Sequence, residues 1–308
     1  MPYQSYHLGV TAPIHTAVGV LMALGLLLCL PKFRGTTLVA PCLWAILSAF
    51  AIAAGDAWIG GAATAQTTYR FWQPVIQYAS ACTSFCPVMA VLGAKRPQDG
   101  PWQWIVLSLW IVLVLPALQF ILLPAGPRFE LFVAWKIFLI GLMSLGLLNW
   151  LPTKYWLAGC CFSAGQLALF WETLTATPAV GPLSSGTSHF WYSLGSWLFF
   201  ATFVLVTLIS ALSMKEIPTD QPTQEGPDSQ GDLSPLNRRW LEFRDRYGSF
   251  WGLRILQRVN QTAAISLWPV RLQWWGFEAL KPGKDQTLTL AQITDINRTF
   301  NTLLRRFL

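Results

Sequence analysis

Few residues in this chain could do chemistry, and they lie far apart. His15, Asp56, Arg70, Lys136, Glu172 and His189 are ionisable groups set in long apolar surroundings, with Gln73, Gln77 and Gln119 near them. A Lys, Arg or Asp at the centre of a membrane helix costs about 2.5–3.5 kcal/mol, so each such group marks a pairing or a site. Arg70, Gln73, Gln77, Ser80 and Ser84 follow a 3-4-3-4 spacing, and His189, Ser193 and Ser196 a 4-3 spacing, so each set shares one helix face. A polar face on an otherwise apolar helix turns inward, to bond a neighbouring helix or to line a path. The candidate ligand-binding or polar-cavity set is therefore His15, Asp56, Arg70, Gln73, Gln77, Lys136, Glu172 and His189. Lys136, two turns into its apolar segment, is expected to pair with Asp56 or Glu172.

The chemistry open to these residue types is narrow. His15 and His189 could ligate a haem from two directions, and the aromatic content of 14% would suit a porphyrin or quinone. Glu172 and His189 have the types of an acid/base pair, but no nucleophile or metal set accompanies them, so the reading leans to a non-catalytic protein. Cys82 and Cys86 are one helical turn apart, yet zinc needs about four ligands and no His lies at that depth. All six cysteines are read as small apolar side chains within spans. There is no phosphate loop, no GxGxxG and no HExxH.

The elements that must position these groups follow from composition. The chain has 308 residues, 54% hydrophobic and only 11% charged, with 21 Lys+Arg against 14 Asp+Glu for a net charge of +7. Residues 1–214 hold only Lys32, Arg34, Arg70, Lys95, Arg96, Arg128, Lys136, Lys154, Asp56, Asp99, Glu130 and Glu172 as charges. Twelve charges cannot solvate a domain of that size, so it is expected to be an all-α integral membrane bundle. Seven stretches are long enough to cross: 12–30, 38–57, 71–93, 102–124, 129–151, 154–174 and 189–213. Continuous apolar runs without period-2 alternation exclude strands. The first stretch has no basic region before it and no small-residue cleavage site after it, so it is read as a span and not a cleaved leader.

Basic residues in the connections orient the bundle. Lys32, Arg34, Lys95, Arg96, Lys154 and Lys215 fall on one side, Arg70 and Arg128 on the other. This six-to-two bias puts the N-terminus outside and the C-terminus in the cytoplasm, the placement of a bacterial cytoplasmic (inner) membrane protein. Trp58, Trp72, Trp171 and Trp191 then mark the outer boundary, and Trp102, Trp104, Trp150 and Trp156 the inner one. His15 corresponds to Lys136, Asp56 to Glu172, and Arg70-Phe71-Trp72 to His189-Phe190-Trp191, which suggests a parallel 3+1+3 repeat.

Beyond residue 215 the composition changes. Residues 216–235 hold four prolines, five acids and no base, the mark of a disordered linker. Residues 236–308 read as a small basic α+β module. Trp240, Phe243, Tyr247 and Phe250 form one helical stripe, Val270, Leu272 and Trp274 a strand, and Ile293, Ile296, Phe300, Leu303 and Phe307 a second stripe. Asn260 and Asn297 match the glycosylation pattern but fall on the inner side of this topology. The partners expected are the bilayer, anionic lipid headgroups at the basic module, and subunits of a membrane complex, with no nucleic acid. A membrane scaffold or accessory subunit with an outward-facing polar site is the first functional expectation. A carrier for a small polar solute stands close behind it, and a haem- or quinone-binding subunit third.

Overall fold

The computed structural model describes residues 3–62, 68–122, 131–175, 185–215, 233–280 and 288–307, with side chains over 14–58, 72–118, 131–175, 190–213, 233–280 and 288–307. The chain is mostly helical. Its order is α1 (Tyr3–Cys29), a 3-10 turn (Leu30–Phe33), α2 (Val39–Ala62), α3 (Thr68–Cys82), α4 (Phe85–Leu92), α5 (Asp99–Leu122), α6 (Val133–Trp150), α7 (Trp156–Thr175), α8 (Ser185–Lys215), α9 (Ser234–Ile265), β1 (Val270–Gln273), β2 (Gly276–Ala279) and α10 (Leu290–Leu304). The linker expected over 216–235 lies outside the described residues as far as 232.

Six segments are long and apolar enough to cross a membrane: Ile14–Phe33, Val39–Trp58, Trp72–Leu92, Asp99–Leu118, Val133–Trp150 and Phe190–Ser213. Seven were expected. The remaining helix, α7, has 20 residues but carries Ser163, Gln166, Glu172, Thr173 and Thr175 together with Gly159 and Gly165, which lower its hydropathy. Helices of this length and composition make the chain a multi-pass membrane protein.

The chain divides into two compact units: Met1–Leu147 with Leu157–Val206, and Leu148–Trp156 with Thr207–Leu308. In the first unit the fully buried side chains come from many helices: Tyr78, Phe85, Leu113, Leu139 and Phe170 are at most 2% exposed. Exposed positions are themselves apolar, among them Leu21, Leu28, Trp104, Phe132 and Ile137. A water-soluble surface of that kind would aggregate, whereas lipid tolerates it. Lipid also offers no hydrophobic drive between helices, so close packing and internal hydrogen bonds must hold them together. The α7–α8 contact has this form: a Cβ on Gly165 would lie 3.3 Å from the Gly195 carbonyl, and one on Gly195 only 3.0 Å from the Gly165 carbonyl.

The span expected over 71–93 is broken between α3 and α4 at Thr83 and Ser84. Pro87 is the cause. It has no N–H for the Thr83 carbonyl, and its ring would clash there. The backbone tightens to i→i+3 bonds, with Ser84 N donating to Ala81 O (3.0 Å) and Cys86 N to Thr83 O (3.1 Å).

In the second unit α9 packs on the hairpin, and α10 packs on α9. Trp240, Leu272, Ile296 and Phe300 are completely buried, and the Phe307 ring meets Phe243, Tyr247 and Trp251 edge-on. The strand expected from Val270 ends at Gln273 and turns back through Trp274 and Trp275, pairing Leu272 with Phe277. The stripe expected through Phe250 is interrupted, because Gly248 (φ 79°, ψ −174°) kinks α9 and leaves Phe250 38% exposed. Thr289 caps α10 in a box with Gln292.

Candidate functional site

The α3–α4 break gathers polar groups because loosened backbone and inward hydroxyls must be satisfied within the protein. Thr83 Oγ1 donates to Ser80 O (2.5 Å) and lies 3.3 Å from Ser48 Oγ of α2. Gln166 of α7 donates to Ser84 Oγ at 3.2 Å. Ser80 Oγ meets the Tyr192 hydroxyl of α8 at 2.8 Å and donates to the Gln77 carbonyl at 3.0 Å. Tyr78 donates to Leu113 O of α5 and accepts from Trp135 Nε1 of α6, both at 2.8 Å. These bonds tie α3 to α2, α5, α6, α7 and α8.

On α8, Ser193 and Ser196 of the expected face turn inward and hold two of the candidate residues. His15 of α1 is buried, its Nε2 2.7 Å from Ser193 Oγ, with its ring edge-on to Trp197. Asp56 of α2 is buried 3.5 Å from Ser196 Oγ, which also lies 3.2 Å from the Tyr192 carbonyl. Ser196 is thus a partner of Asp56 that the sequence did not point to. Lys136 sits in the first turn of α6 and not two turns in, because that helix begins only at Val133, and its amide bonds Phe132 O. A cation so near a helix end carries less desolvation cost than one at mid-span.

Gln77 and Glu172 come together. With Pro74, Tyr78, Thr173, Trp191 and Tyr192 they line a cleft of ≈ 20 Å³, about the room that one water molecule needs. Gln77 is buried, and among the described residues its Nε2 has no hydrogen-bond partner. Gln73 is half-buried on the same helix. The side chains of Arg70, His189 and Gln119 lie outside those described. No protein-family model, no curated protein and no solved structure matches this chain.

With His15 Nε2 held by Ser193, its Nδ1 is the ring atom that has no bonding partner among the described residues. Among those residues no three His, Cys, Asp or Glu side chains form a metal set. Cys82 Sγ lies 3.7 Å from Leu113 O, and Cys86 is buried. Among the described residues of the first unit, hydrogen bonds bolt helices together, and a small cleft holds the spare Gln77 amide beside Glu172. Tyr78, Gln166 and Tyr192 were missed as members of this network. Gln166 had a readable signal, being a lone amide within α7, whereas the two tyrosines look like ordinary aromatic packing.

A second polar cluster forms in the second unit around the connection between α6 and α7. Ser249 Oγ donates to Leu148 O (3.0 Å), Phe250 N to Asn149 Oδ1 (3.2 Å), and Trp274 Nε1 to Pro152 O (3.0 Å). Lys154 N donates to Asp245 Oδ1 (3.4 Å). Asp245 is ion-paired with Arg244 at 2.8 Å, both almost fully buried, and the Arg244 guanidinium lies over the rings of Trp274 and Trp275 and donates to Trp274 O. A buried charge pair needs such added hydrogen bonds to offset desolvation. The sequence singled out Phe250 in a helical stripe, Trp274 in a strand and Lys154 as an orienting charge, but not that they belong to one cluster.

Proposed function

We propose that this protein is a non-catalytic membrane scaffold or accessory subunit that holds its C-terminal α+β module at one membrane surface. In this reading α7 crosses as a seventh helix, the N-terminus is outside, and the module lies in the cytoplasm of a bacterium, beneath the inner membrane. The observation that carries it is the incorporation of residues 148–156, the connection between two apolar helices, into the module's own unit by four hydrogen bonds, which suits a scaffold. The network among α2–α8 supports the same reading, since its groups bond one another across helices.

The spare Gln77 amide at the Glu172 cleft favours the second reading, a carrier for a small polar solute, although the cleft has room for little more than water. The two readings part in one experiment. Photo-crosslinking in cells from position 275, where the Trp side chain is 72% exposed, is expected to give one discrete protein adduct. Proteoliposomes of the purified chain are expected to show no uptake of small polar solutes. Uptake that Gln77→Leu abolishes would overturn the scaffold in favour of the carrier.

A further inference from the structure

The second half of α9, from Ser249 to Ile265, is about 25 Å long at the usual rise per residue. Its buried face is Trp251, Gly252, Ile255, Val259 and Ala263. The opposite face is open and of unusual make-up: Phe250, Leu253, Arg254, Gln257, Arg258 and Ile265, with Leu253 55% and Ile265 77% exposed. Leu267, just past the helix, is 84% exposed. No acid occurs anywhere from Arg246 to Phe277, a stretch that contains Arg246, Arg254, Arg258 and Arg271. The whole module from 236 onward has twelve basic and five acidic residues, 12 − 5 = +7.

The start of this helix is bonded to residues at the end of an apolar segment. Its first residues, Ser249 and Phe250, bond Leu148 and Asn149, the last turn of the apolar segment Val133–Trp150. If that segment crosses the bilayer, its end marks the boundary between hydrocarbon and headgroups. Leu151 and Trp156, in the same connection, are exposed. Apolar side chains interleaved with arginines, no acid, and a tether at headgroup depth are the features of a helix that lies in the interface of an anionic leaflet.

We propose that residues 249–267 form an interfacial anchor that binds anionic lipid, with Phe250, Leu253, Ile265 and Leu267 entering the headgroup layer and Arg254 and Arg258 meeting lipid phosphates and carboxylates. This rests on the reading of Val133–Trp150 as a membrane span. It gives the scaffold a second attachment, and makes the module's seating depend on lipid charge.

The test uses full-length protein carrying an environment-sensitive fluorescent amino acid in place of Leu253, Ile111 or Thr294, in liposomes whose lipids bear a spin-label quencher on the headgroup for the 253 and 294 probes and at mid-chain for the 111 probe. The lipid is phosphatidylcholine alone or with a minority of phosphatidylserine. The 111 probe, on α5 within the segment Asp99–Leu118, reports whether the bundle is inserted, and 294, on exposed α10, reports the aqueous side. The expected result is quenching at 253 that rises with phosphatidylserine, while 294 stays unquenched. Each of Arg254→Gln and Arg258→Gln should lower the seated population about fivefold in the anionic liposomes. Quenching at 111 but not at 253 in either lipid overturns the interfacial helix and leaves the spans standing. No quenching at 111 overturns the spans themselves. A 253 probe shielded from water yet not quenched by lipid also overturns the proposal, and shows that protein covers this face instead.

Discussion

Replacing Gly248 by Ala is expected to loosen the junction between α9 and residues 148–156. Two terms contribute. At φ 79° and ψ −174° the backbone occupies a region that is nearly glycine-only, and a side chain there costs about 1–3 kcal/mol. A Cβ would also lie 2.3 Å from Asn149 Nδ2 and 2.5 Å from its Cγ, and Asn149 is fully buried (0% exposed), so it has no room to swing away. Overpacking of this kind costs about 1–3 kcal/mol more. The sum is about 2–6 kcal/mol, a large part of the stability of a small module. Gly35 supplies the control: its φ is 85° but a Cβ there meets nothing within 4 Å, so Gly35→Ala carries the backbone term alone. Native-state hydrogen exchange on full-length protein in nanodiscs would read the opening free energy of amides 250–260. The double variant with Asn149→Ala should recover the steric part while losing the acceptor for Phe250 N. Opening in Gly248→Ala no easier than in the native chain would refute the argument that this contact fixes the kink.

Three further outcomes are expected. Ser196→Ala leaves the buried Asp56 without its hydroxyl and should lower thermal stability in detergent by about 1–3 kcal/mol; coupling to Asp56→Asn above about 0.5 kcal/mol in a double-mutant cycle checks it. Arg244→Met strands the buried Asp245 carboxylate and should destabilise the module by about 3–5 kcal/mol, partly rescued by Asp245→Asn, as read by urea unfolding of the tail. For topology, a reporter after Leu308 should be active only in the cytoplasm and one inserted between 175 and 188 only outside, the reverse pattern refuting the orientation.

How far the chain could be read before its fold depended on the distance over which each feature acts. Membrane residence, most helical segments, the β1 segment, the α10 stripe and the α9 stripe as far as Tyr247 were legible, since length, hydropathy and side-chain period are local quantities. The inward turn of Ser193 and Ser196 was legible for the same reason, because 3.6-residue periodicity puts them on one face whatever surrounds it. Their partners were not. Nothing local says that Ser193 should meet His15 or Ser196 meet Asp56, 178 and 140 residues away. Lys136 falls in the first turn of α6 because the apolar run starts before the helix does. The kink at Gly248 and the hold of Asn149 on Phe250 had no signal at all, for a glycine in a helical pattern and an asparagine at a helix end are each ordinary alone. Composition and period set which segments become helices and which faces turn inward. Only the packed structure decided which faces meet, because a hydrogen bond between helices depends on register and distance that no single segment contains.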